Sequence, residues 1–160
     1  MCRSYSDRSG CQHRRRRSLC RRQGLVCRQF RTWRNLDGTQ LGDAMSMEIL
    51  QAEKDKEMPD QLFVDVGGVG SSCYDRLMVL GWEDLVVPID FGSRALNSSR
   101  YANKRAEIWW DMAQWLVKKP SCLPNDPVLR AELPAPRFSF KVVQKRTVFV
   151  LESKKEMKAR

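Results

Sequence analysis

The stretch Leu62-Phe63-Val64-Asp65-Val66-Gly67-Gly68-Val69-Gly70-Ser71-Ser72 decides the fold. Apolar residues surround a single acid and then give way to glycines, the pattern of a buried strand that runs into a tight turn ahead of a helix. The Asp65 carboxylate therefore stands at the rim of a sheet. An ionised side chain in such a strand costs several kcal/mol unless something cationic meets it, and a metal ion is one candidate. The competing assignment is an aspartate that only ties off its own turn, accepting from the Gly67 or Gly68 amide. Gly67, Gly68 and Gly70 suit a backbone that turns sharply or lets another group approach closely.

Working outward, Leu25 to Trp33 alternates loosely and predicts a strand. Asp37-Gly38-Thr39 marks a turn and a helix start, after which Leu41, Met45, Ile49 and Ala52 share one face of a helix that stops before Pro59. Ser72-Cys73-Tyr74-Asp75 has capping-box spacing for the next helix. Asp75 is read as its cap, Cys73, Leu77 and Leu80 as its inward face and Gly81 as its stop. Leu85-Val86-Val87-Pro88-Ile89 predicts a strand that proline keeps from being central throughout. The order strand, helix, strand, helix, strand implies an α/β sheet with parallel neighbours.

A helix is predicted over 101–118. Asn103, Lys104, Glu107, Asp111, Gln114 and Lys118 share a polar arc, so Glu107 is expected on a solvated face, while Ala106, Trp109, Ala113 and Leu116 lie opposite on what reads as a largely buried helix. Arg105 falls in the apolar arc and requires an acidic or carbonyl partner. A short helix over 126–133 follows, then a hairpin of 137–143 with 147–152 about Gln144-Lys145-Arg146. A last helix starts at Ser153 and reads as cut at its second turn.

Charge and cysteine are concentrated at one end. Residues 1–34 hold 11 Arg and one acid, whereas residues 35–160 hold 18 basic and 18 acidic side chains and are electrically balanced. Two domain-level segments are expected: a basic head over 1–24 and a folded domain over 25–160. The head, with Arg14-Arg15-Arg16-Arg17 and Arg21-Arg22, reads as a disordered arm able to grip phosphates. It also reads as a frameshift product, because valine and isoleucine codons GTC and ATC become Arg and His codons when shifted by one base. Cys2, Cys11, Cys20 and Cys27 include no C-x-x-C pair and His13 is the sole histidine, which argues against a zinc site. No signal peptide and no apolar run of membrane length occur, so a soluble protein of a reducing cytoplasm is expected.

A dinucleotide loop competes for the same residues. Gly68-x-Gly70-x-x-Cys73 follows a strand and opens a helix, and Asp90 closes the next strand where a ribose-binding acid would sit. Against this, Cys73 holds the third glycine position and Asp65 would point its charge toward the pyrophosphate. A third alternative is a non-enzymatic DNA-binding fragment that works through the basic head.

Phe63 to Gly70, Tyr74-Asp75-Arg76-Leu77, Asp90-Phe91-Gly92, Tyr101 to Glu107, Trp115-Leu116, Leu123 to Pro127 and Leu151 to Lys154 together resemble the nuclease domain of the tailed-phage terminase large subunit. The likeness extends over roughly residues 30–160. It implies an RNase H-like mixed sheet flanked by helices, here incomplete, with a C-terminal β-hairpin. It also implies a two-metal endonuclease that cuts concatemeric viral DNA during packaging, with Mg²⁺ or Mn²⁺ held by three acids. Partners implied are double-stranded DNA, the terminase small subunit and the portal, with no membrane. Asp65 matches the second acid and is the implied catalytic residue and metal ligand. The first falls in the arginine-rich head, where Asp7 is the only acid, and the third would follow Arg160. Gly67, Gly68, Gly70, Asp75, Arg105 and Glu107 are lesser members of the matched motifs, Arg105 in a structural role as the partner of a carboxylate near the strand ends. No phosphate-loop motif for the ATPase occurs. The chain is therefore expected to be an inactive prophage-type remnant of marginal stability, since loss of the first strands exposes a sheet edge.

Overall fold

A computed structural model describes residues 16–28, 30–118, 120–143 and 145–159. The chain divides into two compact units, one built from residues up to 20 and 30–90, the other from 21–29 and 91–160.

In the first unit, β1 (Arg16–Leu19) pairs antiparallel with β4 (Arg31–Arg34), setting Arg16 opposite Arg34 and Leu19 opposite Arg31. Part of the arginine-rich head is thus a strand. Residues 1–15, and Asp7 with them, lie outside the described residues. Helix α1 (Gly38–Lys54) begins with a reciprocal capping box in which the Asp37 carboxylate accepts from the Gln40 amide at 2.8 Å and the Gln40 side chain accepts from the Asp37 amide at 3.0 Å. Leu41, Met45, Ile49 and Ala52 are buried, as their spacing predicted.

β5 (Leu62–Asp65) and β6 (Val86–Ile89) run parallel in direct register, with Asp65 opposite Ile89, and α2 (Val69–Val79) crosses between them. Leu41, Met45, Ile49, Val64, Cys73, Leu77, Leu85 and Val86 form one core. The helices approach closely because α1 turns Gly42 toward α2, where an added Cβ would meet the Arg76 side chain at 2.7 Å. The Arg76 to Asp43 ion pair at 2.7 Å and the Trp82 indole donating to Ser46 Oγ at 2.8 Å tie the same faces.

Two expectations for this unit fail. Helix α2 starts at Val69, not at Ser72, with Gly68 as its N-cap and no side-chain cap, because Gly68 at φ +64° supplies the turn that a capping serine would otherwise organise. Asp75 is consequently an exposed residue within the helix, and Leu80 is exposed at its end. The strands also do not merge into one sheet: among the described residues they pair as four separate two-stranded ladders.

In the second unit, β2 (Arg22–Gln23) and β3 (Val26–Cys27) make a minimal hairpin about Gly24 at φ +56°; the single strand predicted over 25–33 is instead divided between β3 and β4, which pair with different partners. Helix α3 (Lys104–Val117) is capped by Asn103, whose side chain accepts from the Ala106 amide at 2.9 Å. Only Ala106 and Glu107 of this helix are buried, so it is less enclosed than its apolar arc predicted. After α4 (Pro127–Glu132), β7 (Phe138–Val143) and β8 (Arg146–Leu151) form the predicted hairpin, and α5 (Lys154–Lys158) follows with a Ser153–Glu156 capping box. Gln144 of the hairpin turn lies outside the described residues. Phe149 is the centre of this core, in ring contact with Tyr101, Trp110, Phe138 and Phe140.

Gly70 has no room for a side chain, since a Cβ there would collide with the Asp65 carbonyl. Gly70→Ala is expected to lose about 3 kcal/mol, roughly 6–12 °C in Tm; unchanged thermal melting would show that the β5–α2 turn is not packed this way.

Candidate functional site

The end of β5 fixes Asp65. The ladder continues one residue past it, through the Val66 amide donating to the Ile89 carbonyl at 3.1 Å, and then breaks at Gly67. Asp65 is half-buried, and its Oδ1 accepts from the Gly67 amide at 3.0 Å. The carboxylate stands at the strand terminus, and one of its oxygens ties the local turn. Gly67 and Gly70 lie against Asp65, and Gly68 at φ +64° turns the chain between them. Asp90, the residue after Ile89, ends the neighbouring parallel strand and is exposed.

A cavity opens at this end of the unit, lined by Asp65, Gly67, Val69 and Gly70, by residues 17–19 of β1 and by apolar side chains of α1, α2 and β5. β1 and β5 share its walls but belong to different ladders. Arg17 is the unexpected member. It is only 3% exposed, its Nη1 makes a long 3.4 Å bond to the Arg16 carbonyl, and its Nη2 is buried without a hydrogen-bond partner among the described residues. A basic run normally signals a solvated arm. The sign that could have identified this residue is Leu19 two positions later, which puts Arg17 on the same inward strand face.

Arg105 and Glu107 lie in the second unit. Arg105 Nη1 donates to the Glu152 carbonyl at 3.0 Å, and its Nη2 lies 3.8 Å from Met157 Sδ, so a carbonyl supplies one of the partners its apolar position demands. Glu107 is not on a solvated face. It is 5% exposed and accepts from the Leu96 and Asn97 amides at 3.0 and 2.8 Å and from Lys104 Nζ at 2.9 Å. It organises the loop over 92–100. Burial alone would raise the carboxyl pKa, but the Asn97 amide, the Lys104 ammonium and the Leu96 amide outweigh it and hold Glu107 below the usual carboxylate range.

A divalent ion pair needs several anionic oxygens to replace lost water. Among the described residues no group of three or more His, Cys, Asp or Glu side chains is placed to hold a metal. Asp65 offers one carboxylate already engaged by Gly67, and a guanidinium lines the same cavity. These residues do not fit a two-metal centre.

With this geometry in view, the fold is that of a phage terminase nuclease domain, a mixed α/β arrangement of short sheets and helices. It is similar to the nuclease domain of the large terminase subunit gp2 of bacterial virus Sf6, with a TM-score of 0.65 and 17% identity over 91% of this chain and 74% of that one. A mutant of that domain, solved with manganese, is equally similar, with a TM-score of 0.65 and 16% identity over 89% of this chain and 75% of that one. No protein-family model matches the sequence, and no curated protein matches it. No helix among the described residues is long and apolar enough to cross a membrane.

The lowered Glu107 pKa carries a pH signature. Its contribution is complete above the unfolded value of about 4.3 and is lost as pH falls through the lower folded value. Glu107→Gln should lower stability at pH 7 by about 1–3 kcal/mol and flatten the acid limb of a Tm-against-pH curve. An unchanged acid limb would show that the carboxylate does not hold the loop.

Proposed function

We propose that this chain carries a terminase large-subunit nuclease fold with an RNase H-like core, in which Asp65 is a member of the metal-binding carboxylate set. The observation that carries the reading is the conjunction of a fold shared over 91% of the chain with a carboxylate at the terminus of β5. In the complete domain the residue's work would be to help hold Mg²⁺ or Mn²⁺, which supplies an activated water and stabilises the departing oxygen of a DNA phosphodiester. Double-stranded viral DNA is the substrate class, the terminase small subunit and portal are the partners of the complete protein, and the host cytoplasm is the setting.

Among the described residues the carboxylate set is too small for that chemistry. One oxygen of Asp65 serves the Gly67 amide, and Arg17, which lines the same cavity, opposes a second positive charge. The described residues accordingly carry the nuclease fold without its turnover. The dinucleotide alternative keeps its glycine turn, but Cys73 holds the third glycine position of its loop and is buried in the core.

Purified full-length chain, incubated with supercoiled plasmid and Mg²⁺ or Mn²⁺, should give no nicking above that of Asp65→Ala. Robust metal-dependent cleavage that disappears in Asp65→Ala would overturn the assignment of inactivity and leave the metal-ligand role standing.

A further inference from the structure

The guanidinium of Arg17 poses a problem that the nuclease reading does not absorb. A side chain 3% exposed, carrying a full charge and a buried Nη2 without a hydrogen-bond partner among the described residues, is costly unless an anion meets it. The same cavity is lined by Gly67, Val69 and Gly70 at the start of α2. That helix spans 11 residues and begins at a glycine N-cap with no side-chain cap. Its first amides have no carbonyl within the helix to donate to. The Gly70 and Ser71 amides reach back only weakly, to the Gly67 and Gly68 carbonyls at 3.4 and 3.3 Å. The positive end of the helix dipole and an unsatisfied guanidinium therefore line one cavity.

We infer that this cavity is a metal-independent site for a phosphoryl oxyanion, held by Arg17 and the first amides of α2. A guanidinium presents paired donors that match two phosphate oxygens, and a helix N-terminus supplies backbone donors for the others. The β1–β4 ladder adds to the positive field, placing Arg16 opposite Arg34. Asp65 works against it. Its carboxylate lines the cavity, and its bond from Gly67 offsets only part of its charge. The site is therefore weaker than the donors alone would make it, and removing the Asp65 charge strengthens it. This inference stands independently of the terminase reading.

The test is an amide-resolved NMR titration of the full chain in EDTA at constant ionic strength, with inorganic phosphate in one arm and a short DNA duplex in the other. Saturable shifts of the Val69 and Gly70 amides and of the Arg17 Nε–H, with one common midpoint, are expected in the wild-type chain. Arg17→Met should weaken the phosphate response by about tenfold or more, while Asp65→Asn should tighten it, with no free metal in either case. The metal reading can thus fail without affecting this result. A response to phosphate alone assigns a free phosphoryl group, and a response to the duplex, with or without phosphate, assigns the DNA backbone. A response to neither, or equal responses in wild type and Arg17→Met, overturns the site. Should Arg17→Met not fold, absence of a shift at the wild-type Arg17 Nε–H overturns it equally.

Discussion

The contact on which the first unit depends is the approach of Gly70 to the backbone carbonyl of Asp65. It pins the start of α2 to the end of β5 with no room for a side chain between them. Gly68 at φ +64° makes the turn sharp enough for that approach, and Cys73 and Leu77 are thereby delivered to the core shared with α1 and the parallel strands. The same geometry puts the Asp65 side chain outside the core, at the rim of the cavity. The position of the carboxylate is thus a consequence of how the backbone is packed, and it persists whether or not other acids are present to complete a metal site.

Much of this was legible in the sequence because it depends on periodicity and on turn chemistry. The inward face of α1, the β5 strand, its parallel partner and the Phe138–Val143 hairpin strand all follow from local pattern. The failures have physical causes. Helix α2 starts earlier than the serine spacing predicts because Gly68 already turns the chain. Glu107 is buried where a helical wheel places it in solvent because the loop over 92–100 folds onto it and donates two amides. Arg17 is buried where charge alone predicts a solvated arm because its pairing in the β1–β4 ladder turns it inward.

The site differs from the expectation in its electrostatics more than in its placement. One carboxylate stands at the terminus of β5 as anticipated, but its neighbour in the cavity is a guanidinium. A site with one acid and one buried cation favours a single oxyanion over two divalent metals, because the cation opposes metal charge and leaves too few oxygens to replace a metal's hydration shell.

Asp65, proposed as a metal ligand, stands at the terminus of β5, and no group of three or more His, Cys, Asp or Glu side chains is placed to hold a metal among the described residues. Titration of the full chain with Mn²⁺, followed by electron paramagnetic resonance of the free ion, measures this directly. The account predicts no more than one weakly held Mn²⁺ per chain, lost in Asp65→Ala. Two tightly held ions per chain would contradict it.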